Sequence, residues 1–457
     1  MMRRLYSLLM WLLQPALRRK LARRGLQEPG YLDAVEERFG YYSVSMGAID
    51  PAPGHPKPDQ PPRGAASHTK WASVGASNTV WLHAVSLGET RAAASLVAAL
   101  RQRLPCMRLL LTHGTATGRA EGAKLLRPGD MQTWQPWDTP ATVARFLAHF
   151  RPRLGILMET EIWPNLAAGC AHAGVPLVLA NARLSEKSCR QTRRLAWLAR
   201  PAYASLAAVW AQTQDDARRL AAFGAHVQGV FGNLKFDATP DAVQLAKGRA
   251  WHAQLARPVI MFASSREGEE EALLRLLAAE PAALAVQWLI VPRHPQRFDA
   301  VAALVQAQGF ALSRRSLWLD GPPVDGSVGD AQRSIWLGDS LGEMALYFGL
   351  SDVALLGGSF EPLGGQNLIE AAACGCPVLM GPHTFNFSEA AELAGAAGAA
   401  VRVADLAQAL SSVLLLVRDA PQLQAARQAA DAFANAHRGA TGRTVEAIVQ
   451  LLDSGVS

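Results

Sequence analysis

The fold is decided by the stretch Gly357-Gly358-Ser359-Phe360-Glu361-Pro362-Leu363-Gly364-Gly365-Gln366-Asn367-Leu368-Ile369-Glu370-Ala371. An apolar run, Val353–Leu356, precedes it and predicts a buried strand, and helix-forming residues end it. Its glycines allow the backbone to approach a ligand closely, and a helix start offers unpaired N–H groups at the positive end of its dipole, so the loop suits a phosphate. Asn367 and Glu370 lie three residues apart on one helical face, within reach of ribose hydroxyls. The alternative is a plain strand-loop-helix connection without a ligand.

Apolar strands alternate with helical segments on both sides of this stretch. Because each strand is a continuous apolar run, we expect parallel sheets covered by helices on both faces. Two series of such strands predict an α/β protein with two doubly wound, Rossmann-like domains. Ligands bind such folds beyond the carboxyl ends of the strands, here in a central cleft that the two domains face. The predicted strands are Val80–Val85, Arg108–Thr112, Leu154–Met158, Pro176–Ala180, Ala207–Ala211, Val259–Ala263, Gln287–Val291, Ile335–Leu337, Val353–Leu356 and Val378–Met380.

The 457 residues are enough for two domains and a short N-terminal segment. We expect residues 1–25 to form a membrane-associating helix, residues 26–240 the first domain and residues 241–457 the second domain. The crossing between the domains is predicted near Gly232–Lys247. Residues 43–78 contain six prolines and no core-forming pattern, which predicts a flexible surface loop within the first domain.

The positive charge of the chain is concentrated at its N-terminus. The formal net charge is +7, and residues 1–25 alone contribute +7, so the remaining residues sum to zero. This distribution excludes a nucleic-acid footprint over the whole protein. The apolar run at residues 5–17 is shorter than the roughly 20 residues that a spanning helix needs, and no small-residue cleavage site follows it. An apolar segment flanked by arginines suits the inner face of an anionic membrane. A terminal helix docked on the body and a short, tilted single span are the alternatives.

Metal and disulfide chemistry is not expected. The five cysteines are odd in number and form no C-x-x-C motif, which is typical of a reduced cytoplasmic protein with buried thiols. The chain also contains no D-x-D motif, and no histidine pair lies near its candidate acids. The sequence therefore predicts no metal site.

Two acidic loops follow strands of the first domain. In LHAVSLGET (residues 82–90), a strand and a glycine turn precede a helix expected to begin near Thr90. Glu89 would then lie at the mouth of the cleft, where a carboxylate can act as general base toward an acceptor hydroxyl. In METEIWPN (residues 158–165), Glu159 and Glu161 follow another strand, and adjacent acids raise one another's pKa and divide roles or bind a metal. For both loops the alternative is a helix-start acid favoured by the helix dipole.

Basic residues in further loops at strand ends predict an anionic ligand, because they converge with loop N–H groups on one cleft. Lys235 lies at the crossing between the domains, and Arg266 and Arg293 follow strands of the second domain. The loops are GNLKFD (residues 232–237), SSREGE (264–269), VPRHP (291–295) and GDSLGE (338–343).

Eight segments resemble the 3-deoxy-D-manno-octulosonic acid (Kdo) transferases of lipopolysaccharide assembly, a family of two-domain glycosyltransferases of the GT-B type. They occur in the order found in the family and span nearly the whole chain. The chain departs from the family in two respects: the loop at residues 43–78 is longer, and Gln366 occupies a position at which many members have histidine. The segments are HAVSLGETRAA, METEIWPNL, LANARLSEKS, GNLKFD, IVPRHPQRF, GDSLGEM, GGQNLIEAAA and GPHTFNF.

The resemblance implies an inverting GT-B enzyme that transfers Kdo from CMP-Kdo to lipid IV-A, the lipid A precursor, without a cofactor or metal. It implies a location on the cytoplasmic side of the cell inner membrane. By matching motif, Glu89 would be the base that takes the proton of a 6′-hydroxyl of the lipid, and Glu159 and Lys235 would assist the transition state. Lys235 and Arg293 would offset charge on the leaving phosphate and on the sugar carboxylate. The residues implied to hold CMP are Pro292, Arg293, Leu341, Gly342, Glu343, Asn367, Leu368, Ile369 and Glu370.

Three other classes of protein share some of these features. A GT-B enzyme for another nucleotide sugar, such as a lipid-linked N-acetylglucosamine transferase, is disfavoured by the full set of segments, and a donor screen would separate the two. A dinucleotide oxidoreductase is disfavoured because no G-x-G-x-x-G follows the first strand. A non-catalytic, membrane-bound sugar-binding protein is disfavoured by the presence of Glu89, and release of CMP would exclude it.

Overall fold

The computed structural model describes residues 2–42, 78–237, 239–323 and 333–454. The loop predicted at residues 43–78 lies outside these ranges except for Asn78. The chain forms two compact units. The first comprises Met1–Asp237 together with Gly439–Ser457, and the second comprises Ala238–Arg438.

The first unit is built on a parallel seven-stranded sheet. Its strands are β1 (Thr79–His83), β2 (Arg108–His113), β3 (Met131–Trp134), β4 (Leu154–Met158), β5 (Leu177–Ala182), β6 (Ala208–Ala211) and β7 (Val227–Val230). Their spatial order is β3-β2-β1-β4-β5-β6-β7, and Val80 of β1 is paired with Leu109 of β2 and Leu154 of β4. The order of the strands reverses between β1 and β4, so their carboxyl ends flank the switch point at which ligands bind in open α/β sheets.

Helices cover both faces of this sheet. Successive strand residues alternate between two cores, because Val80 and Leu82 pack in one cluster and Trp81 in the other. The described helices of this part of the chain are α1 (Met2–Leu12), α2 (Gln14–Gly25), α3 (Leu87–Arg103), α4 (Ala116–Ala123), α5 (Pro140–Phe150), α6 (Pro164–His172), α7 (Glu186–Arg194), α8 (Ala196–Ala204) and α9 (Gln214–Ala221), with 3₁₀ turns at Pro29–Leu32, Val35–Phe39 and Leu234–Asp237.

The second unit repeats the architecture with another parallel seven-stranded sheet. Its strands are β8 (Val259–Ser265), β9 (Gln287–Pro292), β10 (Ala311–Arg314), β11 (Ser334–Leu337), β12 (Val353–Leu356), β13 (Val378–Met380) and β14 (Ala400–Arg402). Its helices are α10 (Ala242–His252), α11 (Glu269–Ala279), α12 (Phe298–Ala307), α13 (Met344–Leu350), α14 (Leu368–Ala373), α15 (Ser388–Ala396), α16 (Leu406–Arg418) and α17 (Ala420–His437), with 3₁₀ turns at Pro281–Ala285, Pro295–Arg297 and Arg315–Leu317. The order β10-β11-β9-β8-β12-β13-β14 places its switch point between β8 and β12, where the stretch beginning at Gly357 leaves the sheet.

All ten predicted strands are confirmed within two residues at each end. The part of the chain that the structure describes contains four further strands that were not predicted, and they are the outermost strands of the two sheets. The edge strands β3, β7, β10 and β14 contain three or four residues each and are partly exposed. An edge strand has one neighbour and a less covered surface, so it needs no continuous apolar run. The pattern that finds central strands therefore does not find these.

The last described helix, α18 (Ala440–Asp453), packs on the first unit, whereas the sequence analysis assigns it to the second domain. Ile448 and Leu452 of α18 are buried in the same core cluster as Val80 and Leu96. The carboxylate of Asp237 accepts hydrogen bonds from the backbone N–H groups of Gly439, at 2.5 Å, and of Thr441. The first unit otherwise ends at Asp237, and the second begins at Ala238.

Helix α1 docks on the first unit through polar atoms and the buried Met10, and it leaves its leucines exposed. The Tyr6 hydroxyl donates to Asp138 Oδ2 at 2.9 Å, and the Ser7 hydroxyl donates to Asn165 Oδ1 at 2.9 Å. Trp137 Nε1 donates to the carbonyl oxygen of Met10 at 2.8 Å. None of the described helices combines the length and the apolar composition needed to cross a bilayer. More than half of each of these apolar side chains is exposed: Leu5, Leu8, Leu9, Trp11 and Leu12.

Replacing Ile448 of α18 tests the placement of this helix. Ile448→Ala should lower the free energy of unfolding of the first unit by about 2–5 kcal/mol, because it leaves a cavity in a fully buried site. Gln450→Ala, at an exposed position of the same helix, should change it by about 0.5 kcal/mol or less. Hydrogen exchange measured by mass spectrometry should show faster exchange in β1 and α3. Faster exchange confined to residues 239–438 would contradict the assignment.

Candidate active site

Glu89 lies in the first turn of α3, which begins earlier than the sequence predicts. The helix starts at Leu87 with Ser86 as its N-cap, not near Thr90. The Ser86 hydroxyl oxygen accepts from the backbone N–H of Glu89 at 3.3 Å and donates to Glu89 Oε1 at 3.0 Å, while Glu89 Oε2 accepts from the backbone N–H of Val85 at 2.9 Å. This reciprocal arrangement resembles a capping box. The expected helix-start role of Glu89 is thus present in the structure, together with its position at the carboxyl end of β1.

The pKa of the Glu89 carboxyl lies near neutral pH. Its pKa is raised to about 7, chiefly by burial and also by the charges of Glu159 and Glu161, while the hydrogen bonds from Val85 and Ser86 act in the opposite direction. Burial also raises the pKa of Glu161, whose Oε2 accepts from Trp163 Nε1 at 2.9 Å. Three acids from two neighbouring strand ends therefore form one cluster.

Glu159 and Lys235 form an ion pair beside this cluster. Glu159 Oε1 lies 3.0 Å from Lys235 Nζ, although the two groups lack the alignment of a hydrogen bond. Glu159 has a left-handed backbone with a φ of 57°, and its N–H and carbonyl are bonded to Ala180 and Arg183 at the end of β5. Non-glycine residues in this conformation are strained, and such strain clusters at functional sites. The structure thus brings the three predicted catalytic residues together beyond the carboxyl ends of the strands.

Asn181 is a residue of this site to which the sequence analysis assigned no role. It is buried at the end of β5 with a φ of 52°, and its Oδ1 accepts from the backbone N–H of Leu234 at 3.0 Å. Asn233 Oδ1 accepts from the N–H of Lys235 at 3.0 Å, and Asn233 Nδ2 donates to Gln212 Oε1 at 3.1 Å. These amides fix the turn that presents Lys235. An asparagine in an otherwise apolar strand was the signal available in the sequence.

Two histidines lie beneath the cluster and remain neutral. His83 and His113 are fully buried, and burial lowers their pKa values to about 3 and about 4. His113 Nδ1 lies 2.9 Å from the carbonyl oxygen of Ala84, and His83 Nδ1 lies 2.8 Å from Thr112 Oγ1. They therefore support the strand ends and do not compete with Glu89 as a base at pH 7.

In the second unit, two N–H groups of the glycine stretch are occupied by a carboxylate of the protein. Glu269, at the start of α11, accepts from the N–H of Gly358 at 2.9 and 2.8 Å and from the N–H of Phe360 at 3.3 Å. Its Oε2 also accepts from the N–H of Arg266 at 2.8 Å. Burial raises the pKa of this carboxyl, and these backbone donors lower it. Glu269 thus fixes the conformation of the glycine loop. A ligand would therefore contact atoms of this loop other than the N–H groups of Gly358 and Phe360.

The residues after the glycines begin α14. Asn367 is the N-cap, and its Oδ1 accepts from the N–H of Ile369 at 3.2 Å. The side chains of Leu368 and Ile369 are buried, so a ligand would reach their backbone atoms only. Glu370, in the first turn of α14, is partly exposed. Asn367 and Glu370 therefore keep the shared helix start that the sequence predicted.

Arg293 is linked to the glycine stretch through Gln366. Pro292 ends β9, and Arg293 Nε donates to Gln366 Oε1 at 3.1 Å. Gln366, which occupies a position at which many members of the family have histidine, therefore joins two of the segments predicted to form the donor site.

The third segment predicted to hold CMP, Leu341 to Glu343, is bonded to Arg315. Arg315 Nη2 donates to Glu343 Oε1 at 2.8 Å, and the Ser340 hydroxyl donates to the other oxygen of Glu343. Leu341 is exposed, and Gly342 has a φ of 78°, which favours glycine at this turn. Arg315 was missed because its role depends on a contact with a residue far along the chain.

No group of three or more His, Cys, Asp or Glu side chains with a metal-binding arrangement occurs among the residues that the structure describes.

Comparisons with known proteins agree with this arrangement. The family model described as 3-Deoxy-D-manno-octulosonic-acid transferase (kdotransferase) matches residues 33–238. The 3-deoxy-D-manno-octulosonic acid transferase of Bordetella pertussis is 49% identical over 381 residues, which cover 81% of this chain and 86% of the relative. That of Haemophilus influenzae is 31% identical over 399 residues, which cover 85% and 84%.

A solved structure is similar in fold. The UDP-GlcNAc 2-epimerase from Neisseria meningitidis bound to UDP-GlcNAc superimposes with a TM-score of 0.51 at 14% identity, over 81% of this chain and 100% of that one. At this identity the likeness concerns the fold alone. The sequence relatives are similar to the chain over most of their length. The chain therefore belongs to the 3-deoxy-D-manno-octulosonic acid transferase family, and it is a glycosyltransferase with the two-domain GT-B fold.

Proposed function

We propose that the protein transfers Kdo from CMP-Kdo to lipid IV-A in lipopolysaccharide biosynthesis, with Glu89 as general base. The observation that supports this most directly is the Glu89 carboxyl. It lies at the carboxyl end of β1 beside the Glu159–Lys235 pair, and its pKa is about 7. A base works best when its pKa is close to the working pH. The names of the relatives support Kdo as the transferred sugar.

In the proposed reaction, Glu89 accepts the proton of a 6′-hydroxyl of the lipid disaccharide. The oxygen bonds to the anomeric carbon of Kdo as the bond from that carbon to the phosphate oxygen of CMP breaks, with inversion. Positive charge develops on the sugar, so the transition state resembles an oxocarbenium ion. Lys235, held by Glu159, and Arg293, held by Gln366, offset negative charge on the sugar carboxylate and the leaving phosphate.

We assign the CMP moiety to three segments of the second unit. Arg293 would contact the phosphate, and the α14 start with Asn367 and Glu370 would contact the ribose. These assignments follow from the position of both segments at the carboxyl ends of β9 and β12. The remaining residues assigned to CMP are Pro292, Leu341, Gly342, Glu343, Leu368 and Ile369, of which Leu368 and Ile369 would act through their backbone.

We also propose that the protein attaches to the cytoplasmic face of the cell inner membrane through α1 and α2. The exposed leucines of α1 would enter the lipid boundary, since the polar atoms of the helix are used to dock on the first unit. The adjoining helix α2 adds an exposed cationic surface that suits anionic headgroups. Its exposed basic residues are Arg18, Arg19, Lys20, Arg23 and Arg24.

Glu89→Gln tests the base and separates it from helix capping. Glutamine keeps an acceptor for the N–H of Val85 but does not take up a proton, so transfer should fall by roughly 10²–10⁴-fold. The cost in unfolding free energy should be about 1 kcal/mol or less. The wild-type rate should rise with pH through about 7, because the ionised base is the active form, and this rise should be absent from the variant.

The matched control is Glu186→Gln, which changes an exposed glutamate in the first turn of α7 and should leave transfer unchanged. CMP affinity should be similar in all three proteins. Near-normal transfer by folded Glu89→Gln protein would reject Glu89 as the base. Glu161 would then be the next candidate, because its pKa is raised whereas Glu159 is paired with Lys235.

Arg293→Ala and Glu370→Ala test the donor assignment. Each should weaken CMP binding by about 1.5–3 kcal/mol, the usual cost of losing a hydrogen bond to a charged group. Titration calorimetry measures this directly, with Arg275→Ala as the control because Arg275 is exposed and paired with Glu271 on α11. Unchanged CMP affinity in both site variants would refute the assignment.

A triple variant tests the membrane contact without removing α1. Leu5→Gln, Leu8→Gln and Leu12→Gln together should leave the fold intact and reduce sedimentation with phosphatidylglycerol vesicles at least tenfold, because the apolar contact with the bilayer is lost. The control replaces three exposed leucines of the second unit, Leu317, Leu319 and Leu415, with glutamine. Equal sedimentation of both triple variants would place the membrane contact elsewhere.

A further inference from the structure

A groove of about 770 Å³ lies on the first unit between α5 and α6, and no step of the proposed reaction uses it. Its size falls within the range of about 300–1,000 Å³ that is usual for small-molecule sites. We call it the α5–α6 groove. Its apolar lining includes Val143, Ala144, Leu147, Ala168, Gly169 and Ala173.

The two ends of the groove differ. Asn165 and Pro140 mark one end, at the starts of α5 and α6, and Arg3 of α1 also lines the groove. The Ser7–Asn165 hydrogen bond docks α1 against α6, so the helix proposed to enter the membrane borders the groove. Val175 marks the other end, at the amino end of β5. The Glu89 cluster lies at the carboxyl ends of the strands, opposite to the Val175 end of the groove.

The groove has a cationic end. Arg151 and Arg153 lie between α5 and β4, His172 is the last residue of α6, and the lining contains no carboxylate. The C-termini of both helices are here, and each contributes roughly half a negative charge. Two arginines outweigh these two half-charges, so the end remains net positive. An apolar groove with a cation at the end remote from Glu89 fits an anionic amphiphile other than the acceptor under reaction.

We propose that the α5–α6 groove binds one acyl chain of an anionic membrane phospholipid, with the lipid phosphate at the exposed Arg151. Arg153, whose Nη2 donates to the carbonyl oxygen of Leu452 at 3.5 Å, adds positive charge beside it. The apolar lining accommodates the chain, and the arginines select a negative headgroup. The inference is independent of the transfer reaction, and it differs from the surface contact proposed for the leucines of α1.

The test uses the full chain and lipid probes that do not require a bilayer. Monomeric dihexanoyl phosphatidylglycerol and its zwitterionic counterpart dihexanoyl phosphatidylcholine are titrated separately by calorimetry. A phosphatidylglycerol with a diazirine on its acyl chain is cross-linked to the protein, and the labelled peptides are identified by mass spectrometry. We expect labels on α5 and α6, and tighter binding of phosphatidylglycerol than of phosphatidylcholine.

Two substitutions, each with a matched control, locate the site. Ala144→Trp fills the groove at an exposed position and should reduce labelling about tenfold, whereas Ala141→Trp, exposed on the same helix outside the groove, should not. Arg151→Gln should weaken phosphatidylglycerol binding about tenfold, the effect of one charge-assisted hydrogen bond, and Arg127→Gln at another exposed site should not. If Ala144→Trp does not fold, the Arg151 pair still decides.

Four results would overturn the proposal. Labelling unaffected by Ala144→Trp would place the lipid elsewhere. Equal binding of the two headgroups, or full binding by Arg151→Gln, would remove the role of the cations. Complete displacement of the probe by lipid IV-A would assign the groove to the acceptor and not to a membrane phospholipid. Failure of the vesicle experiment on α1 would leave these results unchanged, because the titrated lipids are monomeric.

Discussion

Parallel strand pairing is the constraint on which both units depend. Parallel strands need crossover helices, and those helices cover both faces of each sheet, so the faces are apolar and polar chemistry is restricted to the ends of the strands. Glu89 and Glu159 accordingly follow the adjacent strands β1 and β4, and Lys235 reaches them from the turn after β7. In the second unit, Arg293 and the glycine stretch follow β9 and β12, on either side of β8. In each unit, the position of the candidate residues is thus a consequence of strand direction.

Buried or partly buried carboxylates in or beside helix starts hold loops of both units in place. Glu89 binds the N–H of Val85, Glu269 binds that of Gly358, and Asp138 binds those of Asn165 and Leu166. Burial raises the pKa of all three carboxyls, and the backbone donors partly counteract it. Capping and catalysis are therefore compatible roles for one glutamate: the helix start that fixes Glu89 also desolvates it, and desolvation brings its pKa to a useful value.

The N-terminal helix reverses the usual arrangement of a surface helix, and this reversal links the fold to its surroundings. A docked helix normally buries its apolar face. Helix α1 instead buries Met10, attaches through hydrogen bonds of Tyr6, Ser7 and the carbonyl of Met10, and exposes its leucines. The α5–α6 groove begins beside it. An apolar surface of this kind is stable only if something apolar covers it, and a lipid boundary next to the basic helix α2 meets that requirement.

The central strands, the two-unit organisation and the loops that hold the candidate residues could be predicted from local sequence patterns. A strand buried on both faces must be apolar throughout, and a glycine turn or an acid that follows it is visible at once. The edge strands, the return of α18 to the first unit, the occupation of the Gly358 N–H by Glu269 and the Arg293–Gln366 bond became visible only in the folded chain. Each of these depends on a partner distant in the chain, or on partial exposure, and leaves no local pattern. The pKa of Glu89 belongs to the same group, because burial and neighbouring charges are properties of the folded chain.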